Sequence, residues 1–201
     1  MLKEKEPSSF IIISFSTDNE LYRPMPIIRQ YLVCEECSNV KYLKEEGVEY
    51  SHNLNKDNKL AHFKFFEILN IDKSHPKCNL ADSYLILINL EKEEIFEQVD
   101  LILNYIRNNG NTDKKVYIAG LYINSSNIKD EYKEDNIKEY FEQQKLNYEY
   151  SELNFDSTNE LVKIIDFISS DTIKNKKDLY QKKSIKTEHE KNQSGSGCLI
   201  I

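Results

Sequence analysis

The last four residues carry the most specific chemical signal in this 201-residue sequence. The chain ends with Cys198, Leu199, Ile200 and Ile201; a cysteine, two aliphatic residues and a terminal residue form the signal for prenylation of the thiol. The transferase needs a flexible chain that can enter its pocket, and residues 194–197 (SGSG) are typical of a flexible linker. The pattern predicts a lipid on Cys198 and leaves the choice between farnesyl and geranylgeranyl open.

A basic segment precedes this box. Residues 174–197 contain seven lysines and three acidic residues, a local charge of +4, whereas the whole chain has 27 basic and 34 acidic residues and a net charge of −7. One lipid binds a membrane only marginally, and each lysine near an anionic leaflet adds about 1 kcal/mol. We therefore expect Cys198 together with Lys182, Lys183 and Lys186 to hold the protein on an anionic membrane surface, at the cytoplasmic face of the plasma membrane.

Composition excludes several other classes of protein. The first six residues, MLKEKE, are charged, so no secretory signal is expected, and no apolar run approaches 18 residues. An acidic chain argues against nucleic-acid binding. Four cysteines in a sequence without a leader predict reduced thiols rather than disulfides.

Two pairs of residues have a spacing that metal ions use. Cys34 and Cys37 form a Cys-x₂-Cys pair, and His75 precedes Cys78 by three residues, so the four side chains could form a tetrahedral Cys₃His zinc site. The alternative, which we favour, is a cysteine pair at a helix end and a loop cysteine without metal. A redox role for the first pair would need surroundings that stabilise a thiolate.

The apolar pattern predicts an α/β fold over residues 1–173, a mostly parallel six-stranded sheet flanked by helices. The flexible basic tail then covers residues 174–197 and the prenylation box residues 198–201. Strands are predicted at residues 9–15, 48–54, 60–69, 83–90, 115–121 and 148–153, and helices at 27–33, 93–108, 135–145 and 159–168. The second and third strands form a hairpin, and Glu91, Glu93 and Glu94 are expected to complement a helix dipole.

This order of elements, with a basic tail and a prenylation box, resembles the Ras-like small GTPases. The resemblance covers residues 9–168. Residues 83–107 are similar to the family's fourth strand and following helix, residues 115–120 to its fifth strand, which also ends in a glycine, and residues 148–154 to its last strand. The resemblance implies the family's α/β fold and a place in membrane signalling.

The family's phosphate and metal motifs do not carry over to this sequence. The family has a glycine-rich loop ending in Gly-Lys-Ser/Thr after its first strand, which binds phosphates and magnesium. Residues 14–24 contain neither glycine nor lysine, and Asp18 and Glu20 would repel a phosphate. The family's Asp-x-x-Gly segment corresponds to residues 70–73, which begin with Asn70 and end with Lys73.

The family's guanine motifs have changed as well. Its Asn-Lys-x-Asp segment corresponds to residues 121–124, where Asn124 replaces the carboxylate, and its Ser-Ala-Lys loop to residues 152–154. We therefore expect a protein that neither binds nor hydrolyses GTP, with no catalytic or nucleotide-binding residue, no cofactor and no bound metal. It would act as a signalling scaffold or competitor for protein effectors that the sequence does not identify, after modification by a prenyltransferase.

Two alternatives remain open at this point. A divergent GTPase that acts as a signalling switch would bind nucleotide with magnesium through unusual contacts, for which Arg23 is a candidate cation. A membrane-tethered zinc adaptor would use Cys34, Cys37, His75 and Cys78.

Overall fold

The computed structural model describes residues 9–17, 40–43, 47–56, 59–68, 70–157, 160 and 163–178. Within these residues the chain forms one seven-stranded sheet. The strands are β1 (Ser9–Ser16), β2 (Val40–Leu43), β3 (Gly47–Lys56), β4 (Lys59–Glu67), β5 (Ser83–Asn89), β6 (Lys115–Tyr122) and β7 (Tyr148–Asn154).

The strand order is β2-β3-β4-β1-β5-β6-β7, with β1 near the middle. The five strands from β4 through β1 to β7 are all parallel to one another. β3 is antiparallel to β4, with Lys56 opposite Lys59, so these two strands form the predicted hairpin. The prediction of an α/β fold with a mostly parallel sheet is confirmed.

The prediction of six strands is wrong, because β2 adds a seventh strand at one edge. Its four residues pair antiparallel with β3, from Val40 opposite Tyr50 to Leu43 opposite Gly47. A four-residue strand is too short to show a period of two, and this segment becomes a strand by pairing with its neighbour.

Helices cover both faces of the sheet. α1 (Ile95–Asn109) and α2 (Glu134–Gln143) pack on one face, and α3, which contains residues 163–178, packs on the other through Ile165 and Ile168. Since β5, β6 and β7 are buried or half-buried along their length, their apolar side chains supply both cores. The predicted helix at residues 27–33 lies outside the described residues.

Gly120 permits a close approach between β6 and the edge strand β7. A Cβ atom at this position would lie 2.6 Å from Tyr150 Oη and 2.9 Å from Leu90 Cδ1. Any side chain would therefore displace the buried tyrosine on β7, so glycine is needed at this point of β6.

α3 continues to residue 178, past the boundary that the sequence predicts at residue 174. Asp171 explains why: its carboxylate accepts hydrogen bonds from Lys115 Nζ at 2.7 Å and Tyr117 Oη at 2.6 Å, both on β6. Further along the helix, Lys176 Nζ lies 2.8 Å from Asp82 Oδ2, just before β5. These polar contacts, together with the half-buried Ile173, hold a part of the helix in which hydrophobic periodicity gives little signal.

The contacts of Asp171 also set its charge state. Burial by itself raises the pKa of Asp171, but hydrogen bonds from Lys115 and Tyr117 outweigh burial and hold the pKa below its ordinary value. Burial likewise lowers the pKa of Lys115, and its hydrogen bonds to Asp171 and Glu149 outweigh that effect and raise it. The pair is therefore ionised at neutral pH and fastens α3 to the sheet.

Replacing Asp171 tests this attachment. Because the pKa of Asp171 is depressed in the folded state, its contribution to stability is present above its unfolded pKa of about 3.9 and is lost as the pH falls through its folded pKa. We expect Asp171→Asn to lower the free energy of unfolding at pH 7 by about 1–3 kcal/mol. The variant should also lose less of this free energy than the wild type as the pH is lowered from 7 to 2, which urea denaturation measures.

Asp130→Asn is the control, because Asp130 and Lys133 form an exposed ion pair that should contribute nothing measurable to stability. An equal effect of both substitutions would contradict this role.

Candidate ligand-binding edge of the sheet

The topology places a crevice at the carboxyl ends of β1 and β5. From β1 the chain goes to the β2–β4 side of the sheet, whereas from β5 it goes to β6 and β7 on the other side. In open parallel sheets ligands bind outside the carboxyl ends of the strands at such a reversal. The sequence resemblance places the altered nucleotide motifs at the same edge, at the carboxyl ends of β1, β4, β6 and β7.

Thr17 links the ends of the two strands that border this crevice. Its backbone N–H donates to the Leu87 carbonyl at 2.9 Å, and its hydroxyl Oγ1 accepts a hydrogen bond from the Asn89 N–H at 3.1 Å. The Ile68 N–H, after β4, donates to the Ser14 carbonyl at 3.0 Å. The carboxyl ends of β4, β1 and β5 are thus held together by groups of the chain itself.

Glu91 makes a second link, between the ends of β5 and β6. Its carboxylate accepts the N–H groups of Ile123 at 3.2 Å and Asn124 at 3.1 Å, and the side-chain amide of Asn127 at 3.0 Å. The carboxylate therefore fixes the loop that leaves β6. The sequence prediction that Glu91 complements a helix dipole did not foresee these contacts.

Asn124 corresponds, by the sequence resemblance, to the carboxylate that binds guanine in the Ras-like small GTPases. Its side-chain oxygen instead accepts hydrogen bonds from its own loop. Oδ1 accepts hydrogen bonds from Ser126 N at 3.1 Å and Ser126 Oγ at 2.9 Å, which caps the 3₁₀ turn Ser125–Asn127. Guanine presents N–H donors to a carboxylate, and here the side-chain oxygen already has two donors. Asn70 is similar, because its Oδ1 accepts the Asp72 N–H at 2.8 Å within its own loop.

The backbone donors of this edge are satisfied in the same way. Besides the contacts of Glu91, the Leu90 N–H donates to the Leu121 carbonyl at 2.9 Å, and the Glu91 N–H donates to Asn89 Oδ1 at 3.0 Å. A phosphate would need such N–H groups, together with a cation, to replace its hydration. At these residues the donors are already paired with the protein.

The structure describes two of the four proposed zinc ligands. His75 is 6% exposed and its Nδ1 accepts the Lys77 N–H at 3.2 Å. Cys78 is fully buried, and burial raises the pKa of its thiol to about 11, so the thiol is protonated at neutral pH. Within the described residues, no three His, Cys, Asp or Glu side chains are arranged to hold a metal ion.

Several predicted functional residues lie outside the described part of the chain. These are the lipidation and membrane-binding residues, the first two zinc candidates and the charged residues after β1: Cys198, Lys182, Lys183, Lys186, Cys34, Cys37, Asp18, Glu20 and Arg23.

The opposite, amino edge of the sheet has a polar recess of about 200 Å³ beside the end of α3. Its lining includes three lysines and three aspartates, so the charged side chains of the recess sum to zero. They are Lys114, Lys115, Lys176, Asp82, Asp113 and Asp178.

Comparison with protein-family models gives no match for this sequence, and a search of the curated proteins finds no match either. No helix in the described ranges combines the length and the hydrophobicity that a membrane crossing requires. The functional assignment therefore depends on the residues and the geometry above.

Removing the charge of Glu91 tests its role at this edge. We expect Glu91→Gln to speed hydrogen–deuterium exchange at the amides of Ile123 and Asn124 several-fold, because both hydrogen bonds to a charged acceptor become weaker. Glu93→Gln is the matched control, since Glu93 is two residues away and its carboxylate binds only the exposed Lys129 among the contacts described here. Unchanged exchange in Glu91→Gln, or equal changes in both variants, would show that Glu91 does not hold the loop.

Proposed function

We propose that this chain is a prenylated, membrane-anchored Ras-like protein that does not bind or hydrolyse GTP and that acts as a signalling scaffold or competitor. One observation carries the proposal that nucleotide is not bound. At the sheet edge where the resemblance places a nucleotide, Thr17, Asn89, Glu91 and Asn124 are hydrogen-bonded to other groups of the protein.

The arrangement of the strands supports the Ras-like part of the proposal. The three segments that carry the resemblance become β5, β6 and β7, which lie side by side and parallel. The helices α1 and α2 connect them in the order that the resemblance implies. Fold alone does not define function, so the proposal that the protein is inactive depends on the altered motifs.

A Ras-like switch needs a ligand that holds its loops in one of two states. The loops that follow β5 and β6 are held by protein contacts at residues 89–91 and 123–124, whereas most of the segment after β1 lies outside the described residues. A loop surface held in this way is constant, which suits a protein that recruits partners or occupies their binding sites.

The proposal predicts no thermal stabilisation by nucleotide. A ligand that binds only the folded state adds about 2.7 kcal/mol at 100 times its dissociation constant, which raises the melting temperature of a chain of this size by about 5–10 °C. We expect no shift when GTP or GDP is added at millimolar concentration with Mg²⁺. A magnesium-dependent shift with either nucleotide would contradict the proposal and favour the divergent GTPase.

The lipid anchor has its own test. We expect the full chain expressed in eukaryotic cells to fractionate with membranes, and Cys198→Ser to move it to the soluble fraction because the lipid is lost. Cys78→Ser is the control, since this thiol is buried in the fold and its loss leaves the prenylation box intact. Equal membrane association of the wild type and Cys198→Ser would overturn the anchor.

A further inference from the structure

The tail leaves the folded body at the amino edge of the sheet. Thr172 Oγ1 lies 2.9 Å from Ser83 Oγ at the start of β5, and Asp171 and Lys176 contact Lys115 and Asp82 at the beginnings of β6 and β5. Asp178, the last described residue before the prenylation box, therefore lies at this edge. The carboxyl edge with its crevice lies at the other end of the strands, roughly 25 Å away.

The two edges differ in charge. At residues 92–97 and 129–135, where α1 and α2 begin, seven acidic residues and three lysines give −4. At residues 107–114, 142–147 and 174–178, on the amino edge, six basic and three acidic residues give +3, or +1 when Lys115, Asp82, Asp171 and Glu149, which form ion pairs at this edge, are also counted. α1 and α2 both run from the carboxyl edge to the amino edge, and acidic residues in the first turn of each, with Arg107 in the last turn of α1, complement their dipoles.

An exposed leucine lies on the same edge as the end of α3. Leu80 is 59% exposed, more than any other large hydrophobic residue in the described part of the chain. It ends the 3₁₀ turn Cys78–Leu80, two residues before Asp82. In solution the apolar surface of this side chain stays in contact with water, whereas at a membrane interface that surface would be removed from water, which is favourable.

We propose that the amino edge of the sheet, with Leu80, Lys114 and Lys174 at its surface, lies against an anionic lipid bilayer while the acidic carboxyl edge points away from it. This inference depends on the proposed lipid anchor at Cys198, which brings the edge to the membrane. Three independent features agree with it: the position where the tail begins, the contrast in charge between the edges, and the exposed apolar side chain. The acidic edge would be repelled by the same surface.

The test uses the prenylated full chain and vesicles of phosphatidylcholine with or without phosphatidylserine. We expect Lys114→Gln combined with Lys174→Gln to weaken sedimentation with anionic vesicles about 25-fold, since each lysine near the surface contributes about fivefold, and to leave binding to neutral vesicles unchanged. Lys129→Gln combined with Lys133→Gln is the control. Those lysines are exposed at the carboxyl edge, more than two Debye lengths of about 10 Å from the lipid, so no such loss is expected.

A second measurement reports contact directly. The chain contains no tryptophan, so Leu80→Trp introduces a single reporter, and Leu101→Trp, at a 50% exposed position in the middle of α1, is its control. We expect brominated lipids to quench the fluorescence of the first variant and not of the second. Both variants must keep the melting temperature of the wild type.

The outcomes separate this inference from the anchor. If the prenylated wild type binds vesicles but the two lysine variants bind equally, and both tryptophans are quenched alike, then the orientation is wrong and the anchor stands. If the prenylated wild type does not bind vesicles at all, both are overturned.

Discussion

The backbone N–H groups at the carboxyl ends of parallel strands have to be hydrogen-bonded, and in this protein the chain supplies the acceptors itself. Leaving such donors unpaired in a folded structure costs free energy, so a ligand, water or the protein must satisfy them. Thr17, Asn89 and Glu91 do so here. Their contacts join β1 to β5 and β5 to the loop after β6, so in the described part of this edge these donors are paired within the protein.

The opposite edge of the same sheet has a different role. There Asp171 and Lys176 tie α3 to the beginnings of β6 and β5, which fixes the point from which the tail extends. The N-termini of α1 and α2 lie at the carboxyl edge, and acidic residues in their first turns complement the helix dipoles there. Under the proposed function, the carboxyl edge would face partners while the amino edge would face the membrane.

The fold was largely predictable because its central strands are buried on both faces. β1, β5 and β6 are continuous apolar runs, and the turn between β3 and β4 has polar residues typical of a hairpin. β2 was not predictable, because four residues are too few to show the alternation of apolar and polar residues that is typical of a strand. The strand depends on its pairing with β3. The end of α3 was misplaced for a related reason: Asp171 and Lys176 bind partners that are 56 and 94 residues distant in sequence.

The candidate sites differ in the same way, because some are indicated by local sequence patterns and others depend on contacts between distant residues. The box at Cys198 is a local pattern and can be read directly from the sequence. The altered motifs also follow from local comparison, but the role of Glu91 depends on contacts 32–36 residues away, and no local signal indicates them.

The central claim is that the protein keeps its fold without nucleotide, and the most direct measurement is the nucleotide content of the purified protein. The protein would be isolated in the presence of Mg²⁺, denatured, and its released nucleotides quantified by anion-exchange chromatography. We expect far less than one guanine nucleotide per chain from a protein that is folded and melts cooperatively. A content close to one GDP or GTP per chain would contradict it.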